Sequence, residues 1–208
     1  MIGCIFGPQG SGKSYLAEKL FIDRNRPFGI WIDPISESIE SNFPHIVRDL
    51  FSLHEVLKSF KDTDRARVAY YLENVNDLPG LIRYVQKLRD AIIYADESSY
   101  YSNQDEFIKF CRTHRHYQTD VLIVSQRPFR IPRDATQSAA FVAVVGPFRE
   151  PADVEYLEKL TNGSVPEADS FHNIRVFNGR EFDSDPWTNF GIDRDAACEY
   201  ILHILNGG

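Results

Sequence analysis

The segment GPQGSGKS, residues 7–14, has the residue types and spacing of a phosphate-binding loop, Gly-x4-Gly-Lys-Ser. Its glycines let backbone N–H groups turn toward phosphate oxygens, and the following helix adds the positive end of its dipole. A lysine at this position reaches the β- and γ-phosphates, and the next serine binds magnesium. We therefore predict a site for a nucleoside triphosphate with Mg²⁺. The residues expected to contact the nucleotide are Gly7, Pro8, Gln9, Gly10, Ser11, Gly12, Lys13, Ser14 and Tyr15.

The apolar run DAIIYAD, residues 90–96, ends in an acidic pair, Asp96 and Glu97. An aspartate at the tip of a strand can hold Mg²⁺ through water, and an adjacent glutamate can orient and polarise an attacking water. This pair favours hydrolysis, because a small-molecule kinase already has a hydroxyl nucleophile. The alternative is that both residues only cap the helix that follows the strand.

A third polar residue, Gln126, ends the run DVLIVSQ, residues 120–126. Parallel strands emerge at the same edge of a sheet, so Gln126 is expected beside the γ-phosphate, where it can report the presence of that phosphate. The phosphate-binding loop, the acidic pair and Gln126 together predict a hydrolytic site.

Arginines are concentrated around this third segment in an otherwise acidic chain. Such a set fits an arginine finger that reaches the γ-phosphate of a neighbouring subunit, or contacts to nucleic-acid phosphates. For any single arginine, a solvated surface position is the simpler interpretation. The set comprises Arg112, Arg115, Arg127, Arg130, Arg133 and Arg149.

Length and composition limit the class of protein. The chain has 208 residues, of which 43% are hydrophobic, which is enough for one domain spanning residues 1–208. Its net charge of -7 argues against coating nucleic acid by bulk electrostatics and leaves only local contacts. Three cysteines without metal-ligand spacing suit a reducing compartment. No apolar run approaches the roughly 20 residues of a membrane-spanning helix, and no signal peptide is evident, so we expect a soluble, intracellular protein.

Apolar runs alternate with segments of helical periodicity, which predicts an α/β domain with a mostly parallel sheet. The expected strands are residues 2–6, 28–33, 66–72, 90–96, 120–126 and 139–146, and the expected helices are residues 15–24, 53–61, 78–88 and 106–117. The C-terminal part differs. Its segment FHNIRVFNGREFDSD, residues 171–185, predicts a β-hairpin with Asn178 and Gly179 at its turn, and residues 193–205 predict a closing amphipathic helix.

Four segments, in order, resemble the motifs of the FtsK/HerA superfamily of DNA-pumping ATPases. They are GPQGSGKS (Walker A, 7–14), IIYADE (Walker B, 92–97), HRHYQTDVLIVSQRP (114–128) and AAFVAVVGPFREPADVEYLEKL (139–160). The chain looks most like the small genome-packaging ATPases of tailless, membrane-containing icosahedral viruses, which are similarly compact. The recognisable motifs cover about half of the chain.

The resemblance implies a RecA-like (ASCE) P-loop NTPase fold, with a mostly parallel α/β sheet flanked by helices. It implies a motor subunit that hydrolyses ATP with Mg²⁺ in a homo-oligomeric ring, a hexamer or pentamer. The ring would thread double-stranded DNA through its centre into a capsid, at a capsid or portal vertex, in the host cytoplasm and on the virion. By position, Lys13 and Ser14 would bind nucleotide and metal, Asp96 would support the metal, Glu97 would be the catalytic base and Gln126 the sensor.

The resemblance also names a candidate for the finger that acts on a neighbouring subunit. Arg115 aligns with an arginine that the family often keeps before the third motif strand, and Arg149 and Arg112 are its rivals. The chain departs from the family pattern nearby, because it has Gln118 where relatives often carry a glycine.

Three other functions compete with the DNA motor. A morphogenesis ATPase of the type that exports filamentous phage would act beside a membrane, and such proteins usually carry a transmembrane segment. A small nucleoside or nucleotide kinase would share the phosphate-binding loop, but the acidic pair and Gln126 argue against it. A scaffold subunit would bind nucleotide and assemble without useful hydrolysis.

Overall fold

The computed structural model describes residues 1–35, 45–60, 65–179 and 186–207. The strands in this part of the chain are β1 (Ile2–Phe6), β2 (Phe28–Asp33), β3 (Ile46–Val47), β4 (Ala66–Tyr71), β5 (Ala91–Ala95), β6 (Asp120–Ser125), β7 (Ala139–Val145), β8 (Ile174–Asn178) and β9 (Trp187–Gly191). The α-helices are α1 (Lys13–Asp23), α2 (Leu50–Ser59), α3 (Leu78–Leu88), α4 (Asp105–Thr113), α5 (Arg133–Thr136), α6 (Pro151–Thr161) and α7 (Arg194–Asn206).

These strands form one sheet of nine, in the order β3-β4-β2-β5-β6-β1-β7-β8-β9. The pairs from β3 to β7 are parallel, and β8 and β9 are antiparallel additions at one edge. The predicted mostly parallel α/β sheet is confirmed, and the six predicted strands lie where the sequence indicated. The short strand β3 was not expected.

Helices cover both faces of the sheet. On one face, α1 and α7 pack against a core that includes Leu16, Leu20 and Ile201. On the other face, α2 to α6 pack against a second core around Leu81 and Phe110. Because β1, β5 and β6 are buried on both faces, they appear in the sequence as continuous apolar runs.

The C-terminal strand pair and helix are also confirmed. Strand β8 runs antiparallel to β7 and β9, and the Asn178 N–H donates a 3.0 Å hydrogen bond to the Pro186 carbonyl. Because β9 begins at Trp187, its connection to β8 is longer than the two-residue turn expected at Asn178 and Gly179. The second arm expected at residues 180–185 lies outside the described residues.

No helix in the described segments of the chain is both long and apolar enough to cross a lipid bilayer. The three cysteines, Cys4, Cys111 and Cys198, are buried free thiols. Burial raises the pKa of the Cys4 thiol, which fits a residue that packs in the core.

Candidate active site

The phosphate-binding loop connects β1 to α1. Gly10 and Gly12 have φ values of 77° and 97°, in the left-handed region that favours glycine. Immediately after this turn the buried side chain of Lys13 begins α1. His172 Nδ1 donates a 2.9 Å hydrogen bond to the Ser11 carbonyl and holds the loop from outside. The loop therefore has the backbone form that its glycines predict.

Two aspartates meet at the carboxyl ends of the neighbouring strands β2 and β5. The Asp96 N–H donates a 3.0 Å hydrogen bond to the Ile32 carbonyl, which places Asp96 beside Asp33. Burial, and then the charges of Asp33 and Glu97, raise the pKa of Asp96 to about 7. A cation at this position would therefore favour the ionised form of Asp96.

Glu97 connects the phosphate-binding loop to the end of β6. Its Oε1 lies 3.5 Å from Lys13 Nζ and accepts a 2.7 Å hydrogen bond from Gln126 Nε2. Three segments that are distant in the sequence thus meet at one carboxylate oxygen. The predicted convergence of Lys13, Glu97 and Gln126 is what the structure contains.

The backbone of Glu97 is itself unusual, with φ 36° and ψ 44°. A non-glycine residue pays an energetic penalty in this left-handed conformation, and such strain is often found at functional sites. Flanking hydrogen bonds hold the turn: Ser98 Oγ donates to the Val124 carbonyl at 2.9 Å, and Tyr101 Oη donates to the Asp96 carbonyl at 3.1 Å. The surrounding structure therefore fixes the position from which the Glu97 side chain extends.

The donor set fits a magnesium ion carried by a nucleotide. Ser14 offers a hydroxyl at the start of α1, and Asp96 offers a buried carboxylate. Among the residues that the structure describes, no set of three or more His, Cys, Asp or Glu side chains is arranged to hold a metal. A magnesium ion held here would take its remaining ligands from phosphate oxygens and water, as is usual for Mg²⁺.

The candidate finger arginines lie in different places. Arg115 is exposed in the turn His114–Tyr117, which precedes β6, whereas Gln126 follows β6. The structure thus places Arg115 at the opposite end of β6 from Glu97 and Gln126. Arg112 forms an ion pair with Asp134.

Arg149, by contrast, lies at the carboxyl edge of the sheet, as the phosphate-binding loop does, because the two segments follow the parallel strands β7 and β1. It lines a cavity of about 380 Å³ together with Pro8, Gln9 and Gln126. Arg127 also lines this cavity, but its Nε donates a 2.9 Å hydrogen bond to the buried Asp153 carboxylate.

Asp33 is the site residue that the sequence reasoning missed. Its side chain is buried, and its Oδ1 accepts a 2.7 Å hydrogen bond from the Ile35 N–H. The only signal in the sequence was that the apolar run FGIWID, residues 28–33, ends in an aspartate. That signal gains meaning only when β2 is known to be the neighbour of β5.

Comparison with solved structures identifies proteins of the same fold. The genome packaging NTPase B204 of Sulfolobus turreted icosahedral virus 2, in complex with AMPPCP, is similar with a TM-score of 0.66 and 15% identity over 90% of this chain and 95% of that one. B204, the DNA-packaging ATPase of Sulfolobus turreted icosahedral virus, gives a TM-score of 0.59 and 18% identity over 85% and 91% of the two chains. ATPases 2 and 3 of EssC from Geobacillus thermodenitrificans give a TM-score of 0.55 and 11% identity, over 99% of this chain and 43% of that one.

No protein-family model and no curated protein matches this chain significantly. The chain nevertheless shares the α/β P-loop NTPase fold of the genome packaging NTPase B204.

Proposed function

We propose that this protein is an ATP-hydrolysing, DNA-translocating subunit of a viral genome-packaging motor. The contact of Glu97 Oε1 with both Lys13 and Gln126 carries the hydrolytic part of the proposal. The fold shared with packaging NTPases, one of them solved with AMPPCP, supports ATP as the nucleotide and DNA packaging as the process. Because every described strand belongs to one sheet, we take residues 1–208 as one domain.

The chemistry follows from the positions of these side chains. Lys13 can exchange the Glu97 carboxylate for an oxygen of the β- or γ-phosphate, since both partners are anions. Glu97 then accepts a proton from the water that attacks the γ-phosphorus, and ADP leaves as inorganic phosphate forms. Gln126 keeps Glu97 Oε1 oriented during this step.

Ser14 and Asp96 are the residues that would hold Mg²⁺. When bound, the ion neutralises charge on the phosphate oxygens and orients the triphosphate. Burial and the charge of Asp33 raise the pKa of Asp96, and the same Asp33 charge would favour a cation bound at this site.

Nucleic acid would be contacted by local groups, because the chain as a whole carries a net charge of -7. The loop after β6 is the best candidate. There the guanidinium carbons of Arg127 and Arg130 lie 4.9 and 5.9 Å from the centre of the Phe129 ring, which is 41% exposed. In a closed ring each such contact is repeated in every subunit, so a few charges per chain can hold DNA.

A ring of six or five copies would also explain the position of Arg115. An exposed arginine at the far end of β6 cannot serve its own site, but it can reach the site of a neighbouring subunit. We propose Arg115 as this finger, with Arg149 and Arg112 as the alternatives. The ring would work in the host cytoplasm and at a capsid or portal vertex.

The proposal is tested by measuring ATP hydrolysis with and without long double-stranded DNA at low salt. Wild type, Glu97→Gln and Glu199→Gln are compared, because Glu199 is an exposed glutamate of α7 and receives the same substitution. We expect DNA to stimulate hydrolysis by wild type and Glu199→Gln. In Glu97→Gln the rate should fall at least about 100-fold while ATP still binds.

Two other results would support the competing functions. Transfer of phosphate from ATP to a nucleoside monophosphate, without stimulation by DNA, would identify a kinase. An unchanged rate in Glu97→Gln, with assembly intact, would favour a scaffold subunit over a motor.

A further inference from the structure

A side-chain stack that the hydrolytic cluster does not use lies beside the start of α1. The guanidinium carbon of Arg194 lies 4.8 Å from the centre of the Tyr15 ring. The same guanidinium is so close to the phosphate-binding loop that a Cβ on Gly12 would lie 2.9 Å from Arg194 Nη2. Tyr15 is 51% exposed, so much of its ring remains accessible. The Arg194–Tyr15 pair is therefore partly exposed and lies against the loop.

This stack lies on the other side of β1 from the hydrolytic cluster. Arg194 begins α7, which packs against α1, β7 and β8. Glu97 and Gln126 instead follow β5 and β6, and β1 separates these strands from β7. A triphosphate whose γ-phosphate meets Lys13 and Glu97 must extend its nucleoside away from that cluster. Tyr15 directly follows Ser14, at the end of the loop that would cradle the α- and β-phosphates of such a ligand.

We propose that Arg194 and Tyr15 form the platform on which the base of the bound nucleotide stacks. A guanidinium plane and a phenol ring both stack on aromatic bases, through dispersion and cation–π attraction. Such a platform binds the face of the base, and it therefore distinguishes a nucleotide from a bare phosphate chain. The inference rests on the nucleotide-binding part of the proposed function and is independent of DNA translocation.

The test compares MgATP with magnesium tripolyphosphate, which has the phosphates but no nucleoside, by titration calorimetry. Arg194→Ala and Tyr15→Ala should each weaken ATP binding about tenfold and leave tripolyphosphate binding within about twofold of wild type. Arg194→Lys keeps the charge but lacks the plane, so it should resemble Arg194→Ala. Arg83→Ala, at an exposed position of α3, is the matched control and should change neither affinity.

Other outcomes would overturn the proposal. An equal loss for both ligands would mean that these residues contact phosphate or hold the loop. An unchanged ATP affinity in both variants would place the base elsewhere. A loss of ATP affinity found only in Phe171→Ala would place the base beside Phe171, whose ring would lie 3.8 Å from a Cβ added at Gly10.

The same experiment separates this inference from the proposed function. If wild-type protein bound neither ligand, the proposed nucleotide site and the platform would both be rejected. A loss of affinity specific to ATP in these variants, together with ATP hydrolysis that DNA does not stimulate, would support the platform and reject the DNA motor.

Discussion

The Gln126 side chain donates a 2.7 Å hydrogen bond to Glu97 Oε1, the same oxygen that lies 3.5 Å from Lys13 Nζ. These side chains come from the segments that follow β6, β5 and β1, which are neighbours in the sheet. The order of the strands therefore assembles the cluster, and a change in one side chain acts on the others.

Glu97 and Gln126 should behave as one unit in kinetics. We expect Gln126→Ala to lower the rate of ATP hydrolysis about 100-fold, because an oriented donor to the general base is lost. The double variant with Glu97→Gln should be no slower than Glu97→Gln alone, within about threefold. Phosphate release at saturating ATP measures all three variants. Losses that multiply in the double variant would show that the two residues act independently.

Asp96→Asn should stabilise the protein while removing its activity. The pKa of Asp96 is raised to about 7, so at pH 8 the folded chain holds a buried charge that its surroundings disfavour. We expect the free energy of unfolding to rise by about 1–2 kcal/mol at pH 8, and by less at pH 6, where wild-type Asp96 is already mostly protonated. Urea denaturation without nucleotide measures this difference.

Hydrolysis dependent on Mg²⁺ should be lost in the same Asp96→Asn variant. Asp134→Asn, at an exposed aspartate, provides the control for the stability measurement, and Glu199→Gln provides the control for hydrolysis. A drop in stability at pH 8 would contradict the view that the buried charge of Asp96 destabilises the fold.

Asp120 should make the fold sensitive to acid. Its carboxylate accepts hydrogen bonds from Arg24 Nε at 2.7 Å and Arg26 Nε at 2.9 Å, and its side chain is fully buried. Burial alone would raise the pKa of Asp120, but Arg26, the chain's amino group and Arg24 lower it to about 2. Because the pKa is depressed in the folded state, this stabilisation is complete above about pH 5 and is lost as the pH falls toward 2.

Replacing Asp120 tests the same network at neutral pH. We expect Asp120→Asn to lower the free energy of unfolding by about 3–5 kcal/mol, because the buried Arg24 loses its counter-ion and the partly buried Arg26 keeps only Asp90. The exposed pair of Asp134 and Arg112 should contribute less than about 1 kcal/mol. Urea denaturation at pH 7 compares Asp120→Asn with Asp134→Asn. Equal losses in the free energy of unfolding would show that the buried network stabilises the fold no more than the exposed pair does.

Gln118→Gly should stabilise the turn before β6. Gln118 has φ 55°, and its N–H caps the carbonyls of His114 and Arg115. The left-handed conformation costs a residue with a Cβ about 1 kcal/mol, so glycine should raise the free energy of unfolding by about 0.5–1 kcal/mol. Gln118→Ala keeps the Cβ and should give no gain. A thermal melt in which alanine matches glycine would contradict this explanation.

The sequence predicted the elements whose signals are local. Strands buried on both faces are continuous apolar runs in the sequence. The phosphate-binding loop is defined by glycine, lysine and serine at fixed spacing. Both features could therefore be predicted from the sequence. At Gln118, where the resemblance noted in the sequence suggested a glycine, the backbone adopts the left-handed conformation that glycine favours.

The features that were missed depend on how distant segments meet. Asp33 joins the site only because β2 lies beside β5. Arg194 reaches Tyr15 only because α7 packs against α1. The two-residue strand β3 is too short to give a periodic signal, and the sequence of β8 does not specify that its partner begins at Trp187.

The most direct test of the motor is movement along DNA. Purified protein is incubated with ATP and a long duplex that carries a triplex-forming oligonucleotide far from its end, and release of the oligonucleotide is followed over time. We expect release that requires ATP, occurs with Glu199→Gln and is lost with Glu97→Gln. A triplex that stays in place while the same duplex stimulates ATP hydrolysis would contradict translocation.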